Sequence, residues 1–127
     1  MIPDWLNDAV QGFGRQMGLK EFTLNDRGVA GVRFENGFTF KLEYAAESLM
    51  LIVGVPMAAD KVALGKLLAE AHPLANAHTR KVRAAYVEST GEAILVTRVP
   101  EREVGVSALQ EAFGWLWERA QRLGRIG

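Results

Sequence analysis

The stretch SLMLIVGVPM, Ser48 to Met57, is the most apolar run in the chain. A strand with one face on a core and one in water alternates apolar and polar side chains. Here Leu49, Leu51, Val53 and Val55 fall on one face, and Met50, Ile52 and Gly54 on the other. Both faces are apolar. The first packs under helices; the second is either buried in a compact monomer or reached by another chain.

Immediately upstream, VRFENGFTFKLEY (Val32 to Tyr44) carries a hairpin signal at Asn36-Gly37. That pair suits a type I′ turn, whose two central residues need positive φ. After it Phe38, Phe40, Leu42 and Tyr44 alternate with Thr39, Lys41 and Glu43, so this strand has one wet face. Ala45-Ala46-Glu47 leads into the apolar strand, and the three strands read as an antiparallel meander.

Helices flank the meander. Asp4 is placed to cap a first helix whose stripe is Trp5, Leu6, Ala9, Val10, Phe13 and Met17, stopped at Gly18. Gly12 and Gly14 inside it either permit a close contact or fray it, at about 1 kcal/mol each relative to alanine. Asp60 opens a second helix with Val62, Leu64, Leu67, Leu68 and Ala71 on its apolar side, ending near Pro73. Lys81 to Glu88 and Ala93 to Val99 read as two strands joined at Ser89 to Glu92. A last helix starts near Glu103 or Ser107 and ends at Leu123, with Leu109, Phe113, Leu116, Ala120 and Leu123 as its stripe. The order is α-β-β-β-α-β-β-α. The class is α+β: an antiparallel twisted sheet packed by helices.

Length and composition narrow the function. At 127 residues, 49% hydrophobic and 24% charged, residues 1–127 read as one globular domain. Fifteen basic residues balance fifteen acidic ones, which argues against a dedicated nucleic-acid binder. With no cysteine, disulfides, thiolate zinc sites and cysteine nucleophiles are excluded. MIPDWLNDAV has no signal-peptide pattern and no run reaches membrane-span length, so the expectation is a soluble intracellular protein.

Chemistry-bearing motifs are scarce. His72 and His78 lack metal-ligand spacing, and Ser48, Ser89 and Ser107 lack a nucleophile elbow. GFGRQMG, Gly12 to Gly18, has neither the preceding strand nor the lysine of a phosphate loop. Glu101, Glu103 and Glu111 read as solvated helix-surface charges, and Arg80, Lys81 and Arg83 as a charged strand edge. Trp115 and Trp117 flank the core position Leu116 and cannot share one face: a contact surface or a broadly buried helix. Few catalytic parts and surplus apolar surface favour binding over turnover. The competing reading is a small-molecule or enzymatic pocket on which Tyr44, Glu43 or His72 converge; a structural subunit without a client is a third.

TLNDRGVAGVRFENGFTFKLEY followed by SLMLIVGVPM resembles the N-terminal half of the class I type III secretion chaperones, small cytoplasmic proteins of Gram-negative bacteria. KVALGKLLAEAHPLANAHT (Lys61 to Thr79) is similar to their leucine-rich second helix and connector, and GEAILVTRVP (Gly91 to Pro100) to the strand before their final helix. Members are commonly acidic, whereas this chain is neutral with a pI near 6.7.

The resemblance implies a homodimer that binds the extended N-terminal region of a secreted effector, or an apparatus component, without catalysis or cofactor, membrane insertion or nucleic acid. By the same resemblance Leu67, Leu74, Val82, Ala84 and Tyr86 are expected at the dimer contact. Leu6, Val10, Phe13, Met50 and Ile52 are expected at the partner surface.

Overall fold

The computed structural model describes residues 2–58, 60, 64–66, 69 and 82–124. Helix α1 spans Asp4–Gln16, followed by strands β1 (Val29–Arg33), β2 (Thr39–Ala45) and β3 (Ser48–Pro56). Leu64, Gly65, Lys66 and Ala69 are helical (α2), with the Leu64 N–H donating to the Asp60 carbonyl at 2.9 Å. Strands β4 (Arg83–Val87) and β5 (Glu92–Pro100), a 3-10 turn at Glu101–Glu103 and helix α3 (Val106–Gly124) complete the order. The α-β-β-β-α-β-β-α arrangement read from the sequence is the observed one. Val62, Leu67, Leu68 and Ala71 lie outside the described residues, as do His72, Pro73, Leu74, His78, Arg80 and Lys81.

All strand pairs are antiparallel, in the order β1-β2-β3-β5-β4. The apolar strand β3 therefore lies at the centre, bonded along its length to β2 and β5, while β1 and β4 are the edges. Helix α3 packs on β3 and β5 and against α1. On the helix side Phe40, Leu42, Leu49, Leu51, Val53, Val55, Leu95 and Val99 are fully or almost fully buried, each worth about 1.5–3 kcal/mol against exposure. Phe13 is the hub of an aromatic cluster, with ring centroids 6.2, 6.0 and 5.9 Å from Phe22, Phe40 and Phe113.

Helix α1 begins one residue earlier than expected. Pro3 occupies the N-cap and its carbonyl accepts the Leu6 N–H at 3.1 Å, so Asp4 sits in the first turn, where its charge suits the helix dipole. At the other end Gly18, at φ +76°, donates to Arg15 O and Leu19 donates to Gly14 O at 2.8 Å, a Schellman closure. Gly14 is there for close contact: a Cβ on it would lie 2.6 Å from Phe22 Cβ.

The primed turn expected at Asn36-Gly37 forms at the next hairpin instead. At Asn36-Gly37 only Gly37 has positive φ. The turn runs from Phe34 to Gly37, closed by the Gly37 N–H on Phe34 O at 3.0 Å, and Asn36 Oδ1 accepts the Phe38 N–H. The primed two-residue turn is at Ala46-Glu47, with φ of +51° and +56°, between the paired residues Ala45 and Ser48. Two side-chain-bearing residues in this region cost about 1–2 kcal/mol each. Offsetting bonds hold the corner: the Glu101 N–H donates to Glu47 O at 3.0 Å and the Tyr44 hydroxyl donates to Glu101 Oε1.

Candidate protein-binding surface

Strand alternation sends every second side chain to the sheet face opposite the helices. Register places these in rows: Glu43, Met50 and Arg98; then Lys41, Ile52, Val96 and Arg83; then Arg33, Thr39, Gly54, Ile94 and Ala85. Met50, Ile52, Ile94 and Val96 thus form one contiguous apolar block over β3 and β5, with Ala85 and Val87 extending it onto β4. All four central residues are half-buried. Charged side chains frame the block.

Gly54 interrupts it for a specific reason. Thr39 Oγ1 donates to Glu92 Oε2 at 3.3 Å, and a Cβ on Gly54 would lie 2.4 Å from that hydroxyl and 2.7 Å from that carboxylate. The space over the bare glycine is filled by the chain's own side chains. The edge strand β4 leaves the backbone groups on its outer side unpaired by the sheet, the arrangement that accepts an added strand.

The residues expected at the partner surface separate. Met50 and Ile52 lie on the block. Leu6, Val10 and Phe13 do not: all three are at 0% exposure inside the monomer's own core, because the apolar stripe of α1 faces β2 and α3. What α1 presents outward is Trp5, 49% exposed. Of the residues expected at a dimer contact, Val82 is buried, and Ala84 and Tyr86 are half-buried on the helix side of β4; the Tyr86 hydroxyl donates to Met57 O at 3.1 Å. Leu67 and Leu74 lie outside the described residues. Sequence reasoning missed Ile94, Val96, Ala85 and Val87, although the alternation in AILVTRV carried the signal: Ala93, Leu95, Thr97 and Val99 point to the helices.

A converging polar pocket does not form around Tyr44 and Glu43. Adjacent on β2, they point to opposite faces, and Tyr44 is committed to Glu101. That hydrogen bond, then burial, then the charges of Glu101 and Glu47 raise the Tyr44 pKa above its ordinary 10. No cluster of three or more potential metal ligands exists among the described residues. Trp115 and Trp117 take opposite sides of α3. Trp117 fills the space under the first hairpin, with ring centroids 5.0 Å from Phe34 and 5.2 Å from Phe38. Trp115 carries the Arg119 guanidinium 3.8 Å above its ring, a cation–π contact on a buried arginine.

The model of the Tir chaperone protein (CesT) family matches residues 8–123, nearly the whole chain. The chain belongs to that family. It is thus a member of the type III secretion chaperones, as the strand and helix order suggested.

Solved structures agree at the level of fold. A chain of the HopA1-SchA chaperone-effector complex is similar at 23% identity and TM-score 0.73, covering 98% of this chain and 99% of that one. A chain of the ExsC-ExsE complex matches at 17% identity and TM-score 0.78, covering 95% and 92%. The Yersinia pestis type III secretion chaperone SycH, in complex with a fragment of YscM2, matches at 16% and 0.70, covering 93% and 98%. Comparison with curated proteins gives no match. No helix among the described residues is long and apolar enough to cross a membrane.

Proposed function

We propose that this CesT-family chain acts in the bacterial cytoplasm as a homodimer. It binds the extended N-terminal region of a secreted effector, keeps that region secretion-competent and aids its delivery to the secretion apparatus. The observation that carries this reading is the half-buried block of Met50, Ile52, Ile94 and Val96 beside an unpaired edge strand. Extended peptides bind such surfaces by adding main-chain hydrogen bonds at a sheet edge and placing alternate side chains in apolar hollows. Two of the similar structures are described as effector–chaperone or chaperone–fragment complexes, which supports a polypeptide ligand here.

The protein works by binding, without catalysis or cofactor, as a single domain over residues 1–127. We place the dimer contact at the helix-side surface of β4, Val82, Ala84 and Tyr86, together with Leu67 and Leu74 from the segment before it. Dimerisation there covers half-buried residues at the end of the sheet that the described helices leave partly wet.

Light scattering on the purified protein tests the first half: a mass of twice 14.0 kDa is expected, and a monomer across the micromolar range contradicts it. Affinity purification from a strain expressing a type III system tests the second half. A secreted protein retained through its N-terminal segment is expected; retention that survives deletion of that segment contradicts the reading.

A further inference from the structure

We propose that the cleft between Arg83 and Arg98 selects an acidic side chain within the bound polypeptide, so that the preferred partner segment carries an aliphatic and an acidic residue two positions apart. This rests on the segment-binding reading above and assigns the chemistry of its ligand.

The cleft is about 250 Å³ in volume and is lined by Met50, Val96, Thr97 and the two arginines. Small-molecule sites run from roughly 300 Å³ upward, so this one is sized for a side chain rather than a metabolite. Its geometry follows from register. Arg98 is directly opposite Met50, and Arg83 directly opposite Val96, so two guanidinium groups flank an apolar floor. Both arginines are exposed, and neither forms an ion pair among the described residues.

The balance of charge on this face points the same way. Among the described strand residues it carries Arg33, Lys41, Arg83 and Arg98 against Glu43 and Glu92, in a chain whose formal net charge is zero. Glu92 is held on Thr39 over Gly54, away from the cleft. Glu43, across Met50 from Arg98, lies beyond ion-pairing distance of it. Guanidinium groups bind carboxylates through two parallel N–H···O bonds, and an aliphatic neighbour of that carboxylate fits the Met50–Val96 floor. In an extended segment alternate side chains face the sheet, so aliphatic and acidic residues two apart meet floor and arginine together.

The test follows the Met50 and Val96 methyl resonances of the intact protein during titration with the capped pentapeptide Thr-Val-Thr-Glu-Thr, whose valine and glutamate share one face when extended. Counterparts carry glutamine or lysine in place of the glutamate. Saturable shifts are expected with the glutamate peptide, with affinity about tenfold or more above the glutamine peptide, because hydrogen bonds between charged partners are roughly twice as strong as neutral ones. The lysine peptide should not bind. In the Arg83→Gln, Arg98→Gln double variant the preference should vanish while the melting temperature holds, since both side chains are exposed.

Equal binding of the glutamate and glutamine peptides overturns the proposal yet leaves segment binding intact. Absence of shifts with every peptide overturns it as well, and protection of a natural client then decides separately whether the chaperone reading survives. A drop in mass on Arg98→Glu would assign the cleft to a second copy of this chain and also overturn it.

Discussion

Thr39 and Glu92 clasp each other across the central strand: Thr39 Oγ1 donates to Glu92 Oε2 at 3.3 Å over the bare backbone of Gly54. The two residues belong to β2 and β5, which do not pair with each other. Gly54→Ala therefore places a methyl within 2.4 Å of the hydroxyl and breaks the clasp. The expected loss is about 1–3 kcal/mol, the usual cost of overpacking. Adding Thr39→Ala should recover part of it in denaturant titrations. Additive losses would contradict the steric account.

The strained corner at Ala46-Glu47 makes the opposite prediction. Glycine takes positive φ without the Cβ clash, so Glu47→Gly should stabilise by about 1 kcal/mol. Its carbonyl, the acceptor for Glu101, is retained. Chemical denaturation reads the midpoint shift directly; an unchanged or lower midpoint counts against the strain.

Burial of α1's stripe predicts that Phe13 acts through stability rather than partner contact. Phe13→Ala should cost about 3–5 kcal/mol by leaving a cavity among Phe22, Phe40 and Phe113. A variant as stable as the parent but defective in binding would return Phe13 to the partner surface.

Tyr44 gives a pH signature. Its pKa is raised in the folded protein, first by the hydrogen bond to Glu101. Its stabilising contribution is thus fully present below the unfolded value of about 10 and is lost as pH rises through the folded value. The stability advantage of the parent over Tyr44→Phe should hold at neutral pH and shrink in alkali. A gap independent of pH would mean that the hydroxyl contributes nothing specific to the protonated form.

Much of this architecture is legible in residue order. The alternation of Phe40, Leu42 and Tyr44, and the two apolar faces of Ser48 to Met57, place β2 and β3 and anticipate a sheet face awaiting a cover. Turn identity is less legible. Asn36-Gly37 carries the residues a primed turn favours, yet the longer Phe34–Gly37 loop satisfies both strands, and the primed turn goes to residues with no local preference for it. Tertiary anchors on Glu101 decide that corner, and Glu101 is distant in sequence. Site residues fared in the same way. The spacing of Leu6, Val10 and Phe13 identifies a buried face, but an amphipathic period does not say whether the burying surface is the same chain or another one.

The central claim is that the open sheet face holds an extended client segment. Limited proteolysis of a purified chaperone–client complex, with fragments identified by mass spectrometry, tests it most directly when run alongside an Ile52→Asp, Val96→Asp variant. The account predicts one protected N-terminal client segment with the parent and its loss with a variant that remains folded. Protection that is unchanged in the variant, or that maps only to a globular client domain, would contradict it.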